Sequence, residues 1–220
     1  MGQFHSFIIY TAHKPTGNNT AKIVAEKNPA DVEALKALTY EAETVGEKLT
    51  ALIAKIGENM SIRRFARVEG NVCSYIHGGG RIGVIVETEG ALDSDDKYEA
   101  ARDVAMQVAA INPLYVSQDV VPAEDVEKEK SIIVAQIKED PKNASKPDAI
   151  IEKMVGGKIN KFYEQNCLLQ QEFVKDSDYK VEKYLETKGV KLVNFTRFEK
   201  GEGLEKKEEN FADEVASMIK

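Results

Sequence analysis

Three glycines in this sequence have the spacing of a phosphate-binding loop, because Gly78, Gly80 and Gly83 fit G-x-G-x-x-G. That loop binds a dinucleotide when a helix follows it, since the N-terminus of the helix then faces the pyrophosphate. Here the following residues, 84–86, are Val-Ile-Val, which favour a strand. A kinase glycine loop does lie between strands, but none of the other kinase motifs follows it. The glycines therefore predict a tight turn in a β-hairpin.

Histidines and carboxylates are the other groups that could perform chemistry, and their placement argues against it. His5, His13 and His77 are the only histidines, and none belongs to His-Glu-x-x-His. Ser74 lies outside any Gly-x-Ser-x-Gly, and the acidic residues within 124–130 are interspersed with lysines, as on a solvated helix. No Gly-x-x-x-x-Gly-Lys-Ser/Thr occurs either. We therefore expect no catalytic residue and no nucleotide bound by the chain itself.

His77 is the sharpest candidate for a functional side chain. It immediately precedes the turn, on the same strand face as Cys73 and Tyr75. As a structural residue it would end the hairpin, and as a functional residue it would present its ring at an interface. The sequence leaves both roles open.

The composition describes a globular chain that is suited to a protein partner. Of its 220 residues 42% are hydrophobic, enough for a core, and the net charge of -7 argues against non-specific nucleic-acid or membrane binding. The two cysteines, Cys73 and Cys167, form no Cys-x-x-Cys, so neither a metal site nor a disulfide framework is predicted. The sequence contains no signal-peptide pattern and no apolar run of about 18 residues. A reducing compartment is expected, which is the cytoplasm or, in a eukaryote, an organellar matrix.

The hairpin that holds the turn is predicted from Val72 to Glu87, with alternating residues before the glycines and a β-branched run after them. Gln3–Ile9 is predicted as a strand, 15–19 as a loop, and Thr20–Ala25 as a returning strand. The first of these strands, with its preceding glycine, resembles the segment from Gly70 in its glycine, serine, aromatic and isoleucine positions. We infer an internal duplication, against the alternative that two hairpins share β-forming residues by chance.

Helices are predicted where apolar residues recur every three or four positions. An Asn-Pro pair at 28–29 begins the first helix, Thr44 opens the second with a capping box, and Gly57 ends it. A third helix runs from the acidic residues at 93 to Asn-Pro at 112. Between the second and third helices, the alternation in Ser61–Val68 predicts a strand that leads into the hairpin.

From Pro122 the sequence becomes highly charged, and two amphipathic helices joined by a polar loop (139–146) predict an antiparallel helical hairpin that projects as a coiled-coil arm. Two adjacent glycines at 156–157 predict a kink or a close contact in its second helix. A short helix follows, and then a strand from Val190 to Phe198 that could join the sheet. Asn210 is predicted to cap a last amphipathic helix.

Six segments of this sequence resemble bacterial-type translation elongation factor Ts, and the resemblance covers the chain from about Pro29 onward. The segments are Ile56–Phe65 (IGENMSIRRF), Tyr75–Val84 (YIHGGGRIGV), Asp103–Pro113 (DVAMQVAAINP), Val121–Glu129 (VPAEDVEKE), Ile151–Phe162 (IEKMVGGKINKF) and Arg197–Glu205 (RFEKGEGLE).

The resemblance implies an α+β fold with two related hairpin-plus-helix subdomains built on antiparallel sheets, a protruding helical hairpin and a C-terminal helix. The implied units are a degenerate first core subdomain at 1–60, a second core subdomain at 61–121 and 174–200, the coiled-coil hairpin at 122–173, and the C-terminal module at 201–220.

The resemblance also implies a function, which is to bind elongation factor Tu and accelerate the release of its GDP without a metal or cofactor. Such a factor needs only to bind the nucleotide-free partner more tightly than the GDP form, since linkage then weakens nucleotide affinity by the same factor. The implied partner-binding residues lie on the hairpin and the helix after it, and on the C-terminal helix. They are His77, Gly79, Arg81, Met106 and Pro113 in the first group and Phe211 and Val215 in the second.

The sequence departs from the family pattern in two respects. The family's small N-terminal three-helix domain is expected to be missing, and no Thr-Asp-Phe-Val occurs, although its phenylalanine wedges near the magnesium site of the partner in the family. A binding-only partner of elongation factor Tu is therefore the alternative to an exchange factor. A third hypothesis, opposed by the overall charge, is an RNA-binding arm that uses its lysines. These are Lys128, Lys130, Lys153, Lys158 and Lys161.

Overall fold

The computed structural model describes residues 3–10, 14–143 and 146–202, with side chains for 19–143 and 146–202. Helices and antiparallel strands are mixed along this part of the chain, which confirms the α+β class. The strands are β1 (Gln3–Tyr10), β2 (Thr39–Tyr40), β3 (Glu43–Thr44), β4 (Ile62–His77), β5 (Ile82–Glu89), β6 (Glu172–Phe173), β7 (Asp176–Lys180) and β8 (Lys191–Glu199). The α-helices are α1 (Lys14–Lys27), α2 (Val32–Ala37), α3 (Val45–Ile56), α4 (Asp95–Ile111), α5 (Ala123–Glu139), α6 (Asp148–Asn166) and α7 (Val181–Thr187), and 3-10 turns lie at Gln118–Val120, Pro141–Asn143 and Leu168–Gln170.

A four-stranded antiparallel sheet in the order β1-β4-β5-β8 lies at the centre of this fold. The 16 residues of β4 have different neighbours along their length. Residues 62–70 pair with β1, and residues 71–77 pair with β5. The strand predicted from Ser61 and the first strand of the predicted hairpin are therefore one continuous strand. The prediction that Val190–Phe198 joins this sheet is confirmed, because β8 pairs along β5.

Each half of β4 contributes to a different hydrophobic core. Ile62 and Phe65 in its first half pack with α1, α2 and α3, around the fully buried Leu35. Cys73 in its second half packs with β5, β8, α4 and α7. One strand thus connects the two cores through its backbone.

The start and end of α3 are set by local chemistry, as the sequence predicts. Thr44 Oγ accepts a hydrogen bond from the Glu47 N–H at 3.1 Å, and the Glu47 carboxylate accepts from the Thr44 N–H at 2.7 Å. This reciprocal capping box satisfies two N–H groups that a helix start leaves unpaired. Gly57 then ends the helix in the left-handed conformation, with φ of 78°.

The prediction of a first β-hairpin is wrong. The segment predicted as a loop, 15–19, and the segment predicted as a returning strand, Thr20–Ala25, both lie in α1. The helix buries Ile23 and Val24 in the first core, against Leu35 and its neighbours. Packing in the core thus outweighs the local preference of β-branched residues for a strand, which is a weak force.

The Asn-Pro pair predicted to begin the next helix instead ends α1. Asn28 adopts a left-handed φ of 44°, and its N–H donates to the Val24 carbonyl at 3.0 Å. The cap of α2 is Asp31, whose carboxylate accepts from the Ala34 N–H at 2.8 Å. Asparagine tolerates the left-handed conformation better than most residues, and this suits it to the end of a helix as well as to its start.

The helix that follows the hairpin is confirmed over Asp95–Ile111. Ser94 caps it by accepting from the Lys97 N–H at 3.4 Å, and Asn112 ends it with a φ of 53°. Its small and β-branched residues pack on the strands of the second core. The buried members are Ala100, Ala101, Val104, Ala105, Val108 and Ala109.

The predicted helical hairpin is confirmed as α5 and α6, which pack on each other through a core of their own. Ile133, Ile137 and Ile159 are buried in it. α6 continues through Gly156 and Gly157, and a Cβ built on either glycine lies more than 4 Å from the neighbouring groups of the described chain. Among the described residues the two glycines therefore make no close contact, and a kink at this point stays a prediction.

The base of this arm is tied together by backbone hydrogen bonds. Tyr115 and Cys167 form a parallel bridge, in which the Leu168 N–H donates to the Tyr115 carbonyl at 2.9 Å. The buried Gln107 of α4 donates from Nε2 to Gln171 Oε1 at 3.1 Å, and its Oε1 accepts from the Val174 N–H at 2.9 Å. A satisfied buried network of this kind fixes the arm to the second core.

The proposed division into units at 60, 121 and 173 stays a prediction. The last helix, predicted from Asn210, lies outside the described residues. Within 3–10, 14–143 and 146–202, none of the helices is both long enough and apolar enough to cross a membrane.

Candidate functional site

The glycine turn lies at the exposed end of β4 and β5. His77 and Ile82 form the last pair of the ladder, and the N–H groups of Gly80 and Arg81 both donate to the His77 carbonyl, at 3.1 and 3.0 Å. Gly78, Gly79 and Gly80 all have positive φ, at 58°, 67° and 102°. Residues other than glycine rarely adopt this backbone conformation, so the turn depends on three consecutive glycines. A strand follows it, as predicted, so the chain that leaves the turn offers no helix N-terminus to bind a phosphate.

His77 is exposed on the side of the hairpin nearest the turn. Its Nδ1 lies 2.9 Å from the hydroxyl of Tyr75, and the two rings are tilted against each other with centroids 5.9 Å apart. The hydrogen bond fixes the ring orientation and leaves Nε2 facing away from Tyr75. Both roles considered for His77 are therefore compatible with its position, because it ends the hairpin and its ring is exposed.

A chain of charges joins the turn to β8. Arg81 Nε lies 3.4 Å from one oxygen of Glu199, and Arg197 Nη2 lies 2.9 Å from the other. The backbone continues the link, since the Lys200 N–H donates to the Arg81 carbonyl at 2.8 Å. The hydrogen bond from Arg197 holds the pKa of Glu199 below its usual value. The carboxylate therefore stays charged between its two arginines at neutral pH.

The end of α4 is connected to the same chain of charges, because Arg197 Nη2 also lies 3.5 Å from the Ala109 carbonyl. Beyond that point Pro113 is buried, while its neighbours Ile111 and Leu114 are 47% and 61% exposed. Met106, one turn back along the helix, is half-buried.

The structure therefore brings together the first group of predicted residues only in part. His77, Gly79 and Arg81 are exposed at one turn, and Arg197 links that turn to the helix that carries Met106. Buried Pro113 can act on a surface only by shaping the end of α4. Phe211 and Val215 lie outside the described residues.

Sequence reasoning missed two exposed apolar residues near these elements and two residues that hold them in place. Ile76, beside His77, is 61% exposed, and so is Leu114. An isolated isoleucine or leucine carries no sequence signal for exposure. Arg197 and Glu199 lie at the end of a strand that mixes polar and apolar residues, so its pattern does not mark them either.

The chemistry available at this surface is recognition. Exposed apolar groups, a histidine and an arginine around a rigid turn are typical of a protein interface. Burial raises the pKa of the Cys167 thiol to about 11 and also raises that of Cys73, so both stay protonated packing residues at neutral pH. Within the described ranges, no group of histidine, cysteine, aspartate and glutamate side chains is placed to hold a metal ion.

The fold and this surface together define a class: an α+β protein with a glycine-turn hairpin and a helical hairpin that packs through a core of its own. Comparison with known proteins is specific. The family model described as elongation factor TS matches residues 12–202. The chain is 48% identical to elongation factor Ts of Clostridium kluyveri, over 92% of this chain and 69% of the relative. It is 47% identical to that of Clostridium novyi, over 97% of this chain and 71% of the relative, and 50% identical to that of Clostridium perfringens strain 13, over 90% and 67%.

The chain therefore belongs to the elongation factor Ts family, whose members are elongation factors of protein biosynthesis. This confirms the resemblance drawn from its sequence segments.

Proposed function

We propose that the chain binds elongation factor Tu in the cytoplasm and promotes the release of its GDP, as a guanine-nucleotide exchange factor. Family membership supports the proposal, and the observation that carries it is the exposed glycine turn. There three residues expected to contact the partner, His77, Gly79 and Arg81, stand together at the end of a well-packed hairpin. The proposal requires no bond-making residue and no cofactor.

The physical mechanism is a difference in affinity. A rigid surface that fits the nucleotide-free partner better than the GDP form stabilises the nucleotide-free form, and linkage then weakens GDP binding by the same factor. About 1.4 kcal/mol of such a difference changes the nucleotide affinity tenfold. Rigidity matters because a mobile surface would lose part of that energy to ordering on binding.

A binding-only partner of elongation factor Tu is the second candidate. The observation that favours it is that the 220-residue sequence contains no Thr-Asp-Phe-Val segment. Without that wedge the chain could hold its partner and leave the magnesium site undisturbed.

Stopped-flow release of a fluorescent GDP analogue from elongation factor Tu distinguishes these candidates, with titration calorimetry in parallel. Release that accelerates with the concentration of this chain supports the exchange factor. A complex by calorimetry without acceleration at saturation supports the binding-only partner. If no complex forms at all, both candidates are excluded. Binding of RNA at physiological salt in a mobility-shift assay would instead support the hypothesis of an RNA-binding arm.

The first prediction concerns His77. Replacing it with alanine removes an exposed ring that is already ordered by Tyr75, so we expect about a tenfold weaker complex, which is typical of a buried aromatic contact at an interface. Tyr179→Ala, which removes a ring that is 40% exposed on β7, is the control and should leave affinity unchanged. Equal affinities for the wild type and the His77 variant would contradict the interface role.

A further inference from the structure

The carbonyl of Ala109 lacks the donor that a continuing helix would give it. In α4 that donor would be the N–H of residue 113, but Pro113 has none. Asn112 turns the chain, and its N–H donates to the Val108 carbonyl instead. The Nη2 of Arg197, 3.5 Å from the Ala109 oxygen, supplies a charged donor at the negative end of the helix.

The first core contains the same arrangement. Both α1 and α4 end in Val-Ala-x-x-Asn-Pro, at 24–29 and 108–113, and the asparagine is left-handed in both. The proline again removes the donor for the alanine carbonyl, and Arg67 Nε lies 3.0 Å from the Ala25 oxygen. Each arginine pairs with a glutamate two residues later on its own strand. Each core helix is thus held against its sheet in the same way, and this repeat differs from the hairpin duplication inferred from the sequence, whose second strand lies in a helix.

The two arginines differ in what lies beyond the glutamate. Arg67 pairs with Glu69 in the middle of β4. Arg197 pairs with Glu199, whose other oxygen lies 3.4 Å from Arg81 in the glycine turn. The second arrangement therefore extends from the end of α4 to the exposed tip of the hairpin.

Arg197 is buried at a cost. Its side chain is 10% exposed, and its buried Nε has no hydrogen-bond partner among the residues the structure describes. An N–H buried without an acceptor is destabilising, because it has lost its hydrogen bond to water and gained none in the protein. A residue whose only role was to stabilise the fold would be expected to have all of its N–H groups paired. An unpaired N–H is easier to explain if Arg197 also sets the position of α4 and the glycine turn.

We infer that Arg197 is a positioning residue for partner binding, which fixes the glycine turn to the end of α4 through Glu199 and Arg81. The inference rests on the proposed function, since the turn carries the residues assigned there to elongation factor Tu, and α4 carries Met106, which the family resemblance implies as a further contact. Without Arg197 the two elements lose their fixed spacing, and binding has to order them each time.

The test compares the wild type with Arg197→Met and Arg197→Lys, and uses Arg67→Met as the matched control. Arg67→Met removes a mostly buried arginine, 15% exposed, that bonds the corresponding carbonyl in the first core. Calorimetry with nucleotide-free elongation factor Tu measures affinity, and chemical unfolding measures stability. We expect both methionine variants to lose stability, but only Arg197→Met to weaken binding, by about tenfold. Arg197→Lys should recover part of the affinity, because an ammonium keeps the positive charge but cannot contact the Ala109 carbonyl and Glu199 with the geometry of a planar guanidinium.

Kinetics separate positioning from a direct role in exchange. With Arg197→Met the concentration that gives half-maximal GDP release should rise about tenfold, while the maximal rate at saturation stays the same. Unchanged affinity in Arg197→Met would overturn the inference, and so would an equal loss of affinity in Arg67→Met.

Amide hydrogen exchange gives a readout without the partner. Arg197→Met should speed exchange at the Arg81 and Lys200 amides, which bond the His77 and Arg81 carbonyls, and Arg67→Met should not. If the wild type forms no complex, the proposed function fails by itself, and unchanged exchange at these amides would independently overturn the positioning role. Glu199→Gln, which keeps the shape of the side chain, replaces Arg197→Met if that variant does not fold.

Discussion

Single residues decide how the exposed turn is held. Arg197 satisfies a helix carbonyl that a proline has left without a donor, and Glu199 passes the connection on to Arg81. The Arg197–Glu199 contact at 2.9 Å is a charge-assisted hydrogen bond, a kind that is about twice as strong as a neutral one. The surface proposed to bind a partner is therefore ordered by groups that lie mostly beneath it.

Glu199 gives a prediction about pH. Its pKa is lowered by Arg197, so its contribution to stability is present above the unfolded-state value of about 4.5 and is lost as the pH falls through the folded value. Glu199→Gln should therefore destabilise the protein by at most about 1 kcal/mol at pH 7, since the side chain is partly exposed. The difference from the wild type should shrink below pH 4.5.

Urea unfolding at a series of pH values checks this prediction. The Arg197→Met variant is the control, because without the arginine the stabilising contribution of Glu199 should be largely absent at every pH. A difference between Glu199→Gln and the wild type that grows on acidification would have the wrong sign for a carboxylate held in its charged form.

Among the elements, α6 is destabilised by two glycines in its interior, and its packing does not explain why they are there. Gly156 and Gly157 lie inside a continuous helix, with open space where a Cβ would stand among the described groups. Alanine should stabilise the arm at either position by about 0.5–1 kcal/mol, because it removes the conformational freedom that glycine has in the unfolded chain.

Thermal unfolding followed by far-ultraviolet circular dichroism measures this gain. Gly57→Ala is the matched control with the opposite expected sign, because Gly57 holds a left-handed φ of 78° at the end of α3. Destabilisation by alanine at 156 or 157 would show that the glycines serve a contact or bend beyond the packing described here.

At the scale of the whole molecule, the arm and the second core are separate packing units joined at a hydrogen-bonded base. The isoleucines of the arm form their own core, and Tyr115 and Cys167 bridge the two ends of the insertion. Because this bridge is parallel, residues 118 and 164 lie on opposite sides of it, and a flexible linker of about six residues, which reaches roughly 20 Å, is used to connect them.

We therefore expect that replacing residues 119–163 with about six glycine and serine residues leaves the second core folded. Amide exchange at Val84 and Val86, which are fully buried on β5, should stay slow, and the affinity for elongation factor Tu should stay within about twofold. Fast exchange at these amides would show that the arm is needed to fold the core. Slow exchange with lost affinity would place part of the binding surface on the arm.

The sequence by itself determined those elements whose signals are local. The capping box at Thr44, the left-handed glycine at 57, the three glycines of the turn and the helical periods of α4, α5 and α6 are each set by backbone chemistry within a few residues. Such signals need no distant partner. The same holds for the segments that resembled elongation factor Ts.

Only the tertiary structure decided what depends on contacts between distant residues. Thr20–Ala25 became part of a helix because the first core buries Ile23 and Val24, and local β-propensity is too weak to oppose that burial. The link from Ala109 to Arg197 joins residues 88 positions apart, and the link from Arg81 to Glu199 joins two neighbouring strands that are distant in the sequence. No period or motif encodes such pairings, since they exist only after β8 has been placed beside β5 and α4 has packed on both.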